Sequence, residues 1–495
     1  MTGTHRQRRS ISPPAVRILA TLAIALMLSA MVPHSAIAGD PAKVFRAGAY
    51  AMDITPETFP ISVNGGMRDR QAKQAHDRLH ARCLVLDDGR TRIAFAICDS
   101  CMIPREVFDA AKKMASAKTG IPTDHMLMSA THTHTAPTSA GVFQSDPDMR
   151  YRKFLARKIA AGIERAAAQL QPARIGWGVG KNPRQVHVRR WFMKPGTVLT
   201  DPFGRKTDKV KMNPPRGHAT LDRPAGPIDP DVSLLAVETK DGRPLALLAN
   251  YSLHYVGSVP GYSLSADYYG EFARQISKRL GVADSKTPEF VGIMSNGTSG
   301  NINNINFRLA HTPRRKPFEQ IRIVAADVAG TAFAAYRKIT FHDWVPIAMR
   351  ETQIDLGVRR PSPADVAAAK VTLAKAGKPP YRTMAGVYAR ETLLMARYPR
   401  TVRVKLQAIR LGDLGIVSSP CETFTETGLA IKKQSPFKQT FTIELANGYN
   451  GYLPTPEQHG FGGYETWRAR SSYLAVDAEP KIRRTLLRLL RDVAH

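Results

Sequence analysis

The 495-residue chain holds only four cysteines, Cys83, Cys98, Cys101 and Cys421, and 41 acidic residues against 71 basic ones. Each shortage excludes something. Four cysteines allow three disulfide pairings, and the one close pair, "CDSC" at 98–101, has no partners at zinc-finger spacing. A structural zinc finger is set aside, and the core rests on apolar side chains, 43% of the residues. No G-x-S-x-G elbow occurs, which argues against a serine hydrolase. No internal repeat or clear linker interrupts residues 39–495, so they read as one large domain. The formal charge of +30 comes without an aromatic-interleaved basic motif or a nucleic-acid module, so nucleic acid is not an expected partner.

The one long apolar run is N-terminal. Arg6, Arg8, Arg9 and Arg17 precede "ILATLAIALMLSAMV", and Ala36-Ile37-Ala38 follows. A basic head, a short apolar stretch and a small-residue cleavage pattern read as a secretory signal peptide over residues 1–38. The run is shorter than the ~20 residues that span a bilayer. A periplasmic or secreted protein is expected. Removing the segment takes four arginines and no acid, lowering the charge from +30 to +26. Such an excess draws a protein toward an anionic membrane or envelope polymer, or forms a solvated basic surface.

What remains alternates strand and helix patterns. Apolar, β-branched runs recur at 91–100, 125–134, 233–254, 289–301, 402–422 and 440–452. Two of them turn back at Asp241-Gly242 and at Gly412–Gly415, which predicts hairpins. Between them lie helical stripes. Asp146-Pro147 is read as a cap leading into Leu155, Ile159, Ile163, Ala166 and Leu170. Ser362, Pro363 and Asp365 predict a capping box, and 268–280 and 481–493 predict further helices. The fold class expected is α/β, with mixed β-sheets and flanking helices. Residues 192–230, rich in Pro, Gly, Lys and Arg, show no periodicity and read as a long loop, either a rim around a site or a surface insertion.

Residues able to bind metal cluster after these strands. "MSATHTHTAPTSAG" (128–141) places His132 and His134 after one strand, His254 follows another, and Glu422 a third. "NGTSGNINN", with Asn296, Ser299 and Asn301, and the Tyr449/Tyr452 pair also follow strands. Ligands of α/β proteins gather where strands end. Imidazole and carboxylate suit Zn²⁺, and two histidines at i, i+2 in extended chain share a side, so that one could bind metal and the other substrate.

These segments resemble, in order, the neutral/alkaline (non-lysosomal) ceramidase family. "SATHTHTAP" is similar to its Thr-His-Thr-His motif, and "AMDITP", "VRRW", "ANYSLHYVGS" and "LSADYYGEFA" to its successive segments. "SNGTSGNINN", "SSPCETFTETG" and "ANGYNGYLPTPEQHGFGGYETW" continue the match to about residue 490. The resemblance implies zinc held by His132, His254, Glu422 and Tyr452. It implies His134, Arg189 and Tyr464 as catalytic groups, with Arg190 open as the alternative because Val188 stands where the family carries asparagine. Asn296, Ser299 and Asn301 are the expected substrate-binding residues.

The implied activity is zinc-dependent hydrolysis of an N-acyl amide, ceramide or a related lipid amide. Asn301 replaces a usual Asp, Thr138 and Ser139 replace usual glycines, and the chain ends without room for the family's C-terminal immunoglobulin-like domain. The expectation is therefore a zinc amide hydrolase before a ceramidase in the strict sense. A metal-dependent ester or phosphoester hydrolase, and a non-catalytic basic envelope-binding protein on the same fold, are the alternatives.

Overall fold

The computed structural model describes residues 43–283 and 290–495; the expected signal segment lies outside them. Residues 44–495 form one compact unit, built as two stacked sheets with helices on both outer faces. The first sheet has eight strands: β1 (Arg46–Asp53), β2 (His80–Asp87), β3 (Arg92–Cys98), β4 (Met126–Ala130), β5 (Gln171–Lys181), β6 (Asp231–Thr239), β7 (Pro244–Tyr251) and β8 (Val291–Asn296). Their order is β8-β7-β6-β5-β1-β2-β3-β4, antiparallel except for the pairs β7/β8 and β3/β4. The second sheet runs β9 (Ile347–Gly357), β10 (Thr401–Leu411), β11 (Leu414–Ser418), β12 (Gln439–Ile443), with β11/β12 parallel. Both sheets are mixed, as the sequence pattern predicts.

Strand alternation explains the layering. In β2, Ala81, Cys83 and Val85 join a core under helices α1 (Arg105–Thr119) and α2 (Met149–Ala168), while Leu84 and Leu86 join the core between the sheets. In β6, Val232 and Leu234 face helices α3 (Asp267–Arg279) and α4 (Glu319–Tyr336), whereas Leu235 and Val237 face inward. In β10, Val404, Leu406 and Ala408 face α9 (Ala478–Ala494), and Ile409 and Leu411 face the first sheet. A strand covered on both faces reads as a continuous apolar run, which is why "CLVL" and "SLLAV" show no polar alternation. Each such aliphatic side chain contributes about 1.5–3 kcal/mol on burial.

Both expected hairpins are present, β6–β7 and β10–β11. The capping box at Ser362 and Asp365 opens α5 (Pro363–Ala376). After α5 come α6 (Met384–Met395), α7 (Thr425–Gln434) and the short α8 (Pro456–Phe461).

Two expectations are corrected. The cap of α2 is Asp148, whose carboxylate accepts from the backbone N–H of Arg150 and Tyr151; Pro147 precedes the helix, and Leu170 lies beyond its end. Asp148 serves because its oxygen meets the first free N–H groups, which Asp146 lies too early to reach. Residues 192–230 are not a bare loop: Arg190–Met193, Val210–Met212 and Leu221–Pro224 pair into a small sheet. Strands of three or four residues are too short to show alternation in sequence. All four cysteines are buried free thiols, none in a disulfide. No helix among the described residues is long and apolar enough to cross a membrane.

Candidate metal centre

The three parallel pairs β3/β4, β7/β8 and β11/β12 bring His132, His254 and Glu422 together beyond their C-terminal ends. The segment after β12 ties the two sheets at this point. Leu445 O accepts from Ala130 N at 3.2 Å, and Glu444 N donates to Asn296 O at 3.1 Å. Glu422 and Tyr452 then pair directly, side by side in a short parallel ladder. The chain at the histidines is not extended as expected. His132 takes φ 77, a left-handed conformation uncommon for a residue with a Cβ, and this turn aims both rings at one point.

The rings converge through Nε2. His132 Nε2 lies 3.0 Å from His254 Nε2 and 3.2 Å from His134 Nε2. It is also 3.2 Å from Glu422 Oε2. Each Nδ1 faces a backbone carbonyl: Cys101 O at 2.7 Å for His132, Gly65 O at 2.9 Å for His134, and Ser299 O at 3.3 Å for His254. A carbonyl can only accept, so in the neutral ring each proton sits on Nδ1 and leaves a lone pair on Nε2. Glu422 Oε1 accepts from the Tyr449 hydroxyl at 3.0 Å, but its Oε2 is buried without a hydrogen-bond partner. Three nitrogen lone pairs and a carboxylate oxygen therefore face one another. Such a set is repulsive unless a positive charge stands among them.

The electrostatics put a positive charge at the same point, on His132 itself. Burial opposes charge on His132, yet Glu422 and Cys101 outweigh it and hold that imidazole well above the usual value. Burial, then the charge of His132, holds His134 and His254 well below it, so both favour the neutral form that binds metal. The donor set of two imidazoles and one carboxylate suits zinc. Cys101 makes a second possible group with His132 and His134. Its Sγ lies 3.8 Å from His132 Nδ1, the nitrogen turned away from the cluster, and burial pushes its thiol up.

Arg189 is the arginine that reaches the histidines. Its Nη1 is 3.2 Å from His254 Nε2, and its guanidinium lies 5.2 Å from the Tyr452 ring centroid. Nε donates to Glu465 Oε1 at 2.8 Å and Nη2 to Gly300 O at 2.8 Å. Arg190 points the other way, to Glu465 Oε2 at 2.6 Å and to Gln458 and Gly462. Tyr452 and Tyr464 sit with ring centroids 5.7 Å apart and line a cavity of about 30 Å³ with His132, His134 and Glu422. That is room for a water, not for an acyl chain. A cavity of about 560 Å³ opens between α3 and the first sheet, but its Arg78 and Arg82 already pair with carboxylates and no lone pairs converge there.

The three loop residues expected to bind substrate do not line this cavity. Ser299 Oγ donates to Glu444 Oε1 at 2.7 Å, and Asn301 holds Glu426, Thr425 N and Arg189 N. Asn296 is buried with neither side-chain polar atom paired. Several contributors escaped the sequence reading. Tyr255 stacks on His134 at 3.7 Å, Glu465 holds Arg189, and Gly65 packs so close to the His134 ring that a Cβ would meet it at 2.4 Å. "NGG" at 64–66 is a turn signal that could have flagged the last.

No protein-family model matches the chain. The chain is 21% identical over 493 residues to the neutral ceramidase of Pseudomonas aeruginosa, covering 85% of this chain and 68% of that protein. The crystal structure of neutral ceramidase from Pseudomonas aeruginosa superposes with a TM-score of 0.67 at 17% identity, over 90% of this chain and 74% of that one. A ceramidase complexed with C2 gives the same TM-score of 0.67 and 17% identity, over 90% and 75%. The two stacked mixed sheets and their flanking helices are thus the fold of neutral ceramidase.

Proposed function

We propose that this chain is an exported zinc-dependent amidohydrolase that cleaves an N-acyl amide of the ceramide class. One observation carries the reading: three imidazole Nε2 atoms and Glu422 Oε2 converge beside a fixed guanidinium. His132, His254 and Glu422 would hold the ion, with Tyr452 beside Glu422 as the fourth ligand. Zinc bound there would supply Lewis acidity toward a carbonyl oxygen and would lower the pKa of water toward ~7.

The chain's own groups do the rest. His134 keeps some exposure and presents its Nε2 lone pair, so it takes the proton of the attacking water. As an imidazolium it then donates that proton to the amine nitrogen while the C–N bond breaks, giving a carboxylic acid and an amine. Arg189, held by Glu465, offers N–H groups to the oxygen as charge develops on it, and Tyr464 offers its hydroxyl from the same wall. The names of the similar proteins support a lipid amide as substrate, and the basic-apolar N-terminus supports export.

Metal content and hydrolysis of a graded N-acyl series test this together. The purified protein should carry about one zinc per chain and cleave short, soluble N-acyl compounds at least as well as long-chain ceramide. His132→Ala with His254→Ala should abolish both metal and turnover, while His134→Ala should keep the metal and lose cleavage. Full metal occupancy in the double variant would overturn the site.

A further inference from the structure

The chain carries one feature that the chemistry of the metal centre does not use. Residues 308–317 form an uninterrupted run of ten exposed residues, "RLAHTPRRKP", with four cations and no acid. The nearest acid, Glu319, is already engaged by Arg315 at 3.2 Å. Lys316 donates its backbone N–H to Glu319 Oε2 at 2.9 Å, and Arg308 lies over the Trp191 ring at 5.1 Å. A second exposed loop lies against this one: Gly217 N donates to Phe307 O at 2.8 Å, and Arg216 hydrogen-bonds Thr312. Leu309, 51% exposed, sits among these charges.

Both loops are rooted at the metal centre. Asn213, three residues before Arg216, donates its N–H to Arg189 O at 2.8 Å. At the far end Phe318 stacks on His76 at 3.5 Å and donates its N–H to Ser258 O at 3.1 Å, four residues past His254. The loop that carries Ser258 also exposes Tyr262, at 53%.

We propose that this basic tongue, with Arg216, Arg308, Arg314 and Lys316 as its charges and Leu309 and Tyr262 as its apolar contacts, docks the protein on an anionic lipid bilayer. Exposed cations interleaved with exposed apolar side chains match the headgroup layer, where charge meets phosphate and an aliphatic or aromatic group reaches the acyl boundary. A rigid polyanion would match the charges and leave Leu309 and Tyr262 without a contact. The docking proposal rests on the lipid-amide reading only for the substrate a bilayer would supply. The binding itself rests on charge and shape, so the two fail separately.

Vesicle co-sedimentation of the zinc-loaded protein tests it. Binding should be clear on phosphatidylcholine vesicles containing phosphatidylglycerol, weak on phosphatidylcholine alone, and reversed as salt shortens the screening length. R308E/R314E/K316E should weaken binding at least about tenfold, with melting temperature, zinc content and cleavage of a soluble amide unchanged. L309E should cost a smaller factor that persists at high salt. Equal binding to both vesicle types, or unaltered binding of the triple variant, would overturn the proposal. So would tighter binding to duplex DNA that the same three substitutions abolish.

Discussion

Two buried glutamates stand on either side of Arg189, and their surroundings are opposite. Glu465 accepts from two guanidiniums, Arg189 at 2.8 Å and Arg190 at 2.6 Å, one on each oxygen. Arg190 spends its other N–H groups on Gln458 and Gly462. Glu422 has one oxygen on Tyr449 and the other 3.2 Å from His132 Nε2, turned toward the imidazole cluster with no other donor. A buried carboxylate whose oxygens both meet donors is complete structure. One whose oxygen faces other acceptors is a place for a cation. Arg189 joins the two, held from behind by the finished site and pointed at the unfinished one.

Removing the finished carboxylate is the hardest test of this contrast. Glu465→Ala strands two buried guanidiniums, and chemical denaturation should show a loss of about 3–5 kcal/mol. A loss below ~1 kcal/mol would mean that the clamp does not hold Arg189. Tyr464→Phe removes only a phenolic hydroxyl from the cavity wall. We expect kcat to fall ~10²-fold with zinc retained, and an unchanged kcat would take Tyr464 out of the reaction. Glu422→Gln, compared with the unsubstituted chain in excess chelator, should melt lower, by about 1–3 kcal/mol, because the amide cannot support the charge that Glu422 holds on His132. A rise would mean that His132 is neutral beside Glu422.

The smallest effect is on pH dependence. Burial pushes the Glu465 carboxyl up, but Arg190 and Arg189 overcome it and hold the pKa below the ordinary 4.5. A carboxyl depressed on folding stabilises the protein fully above its unfolded pKa, and that contribution is lost as pH falls through the folded one. Glu465→Gln should therefore flatten the fall in stability below about pH 4.5, measured by urea titration at stepped pH. An identical acid limb would place the acid sensitivity elsewhere.

Much of the architecture was legible. Strands covered on both faces advertise themselves as unbroken apolar runs, Asp241-Gly242 marks its hairpin, and Ser362 with Asp365 marks its helix start. The short strands of residues 190–224 were not, because pairing between distant three-residue pieces leaves no period to read. At the site, His132, His134, His254 and Glu422 stood out by residue type and by their place after strands. Tyr255, Gly65 and Glu465 did not, since an aromatic, a glycine and a glutamate are ordinary until something packs against them.

The sequence by itself determined which side chains can ligate metal, which strands are buried on both faces, and a strong positive charge, because these follow from residue type and local period. Only the tertiary structure decided that three Nε2 atoms meet at one point, that Arg189 and not Arg190 faces them, and that Ser299 and Asn301 support the site from behind. Those facts depend on a left-handed turn at His132 and on contacts such as Arg189–Glu465, between residues 276 positions apart. Burial and hydrogen bonding at such separations are properties of the folded chain, and no local pattern of residues encodes them.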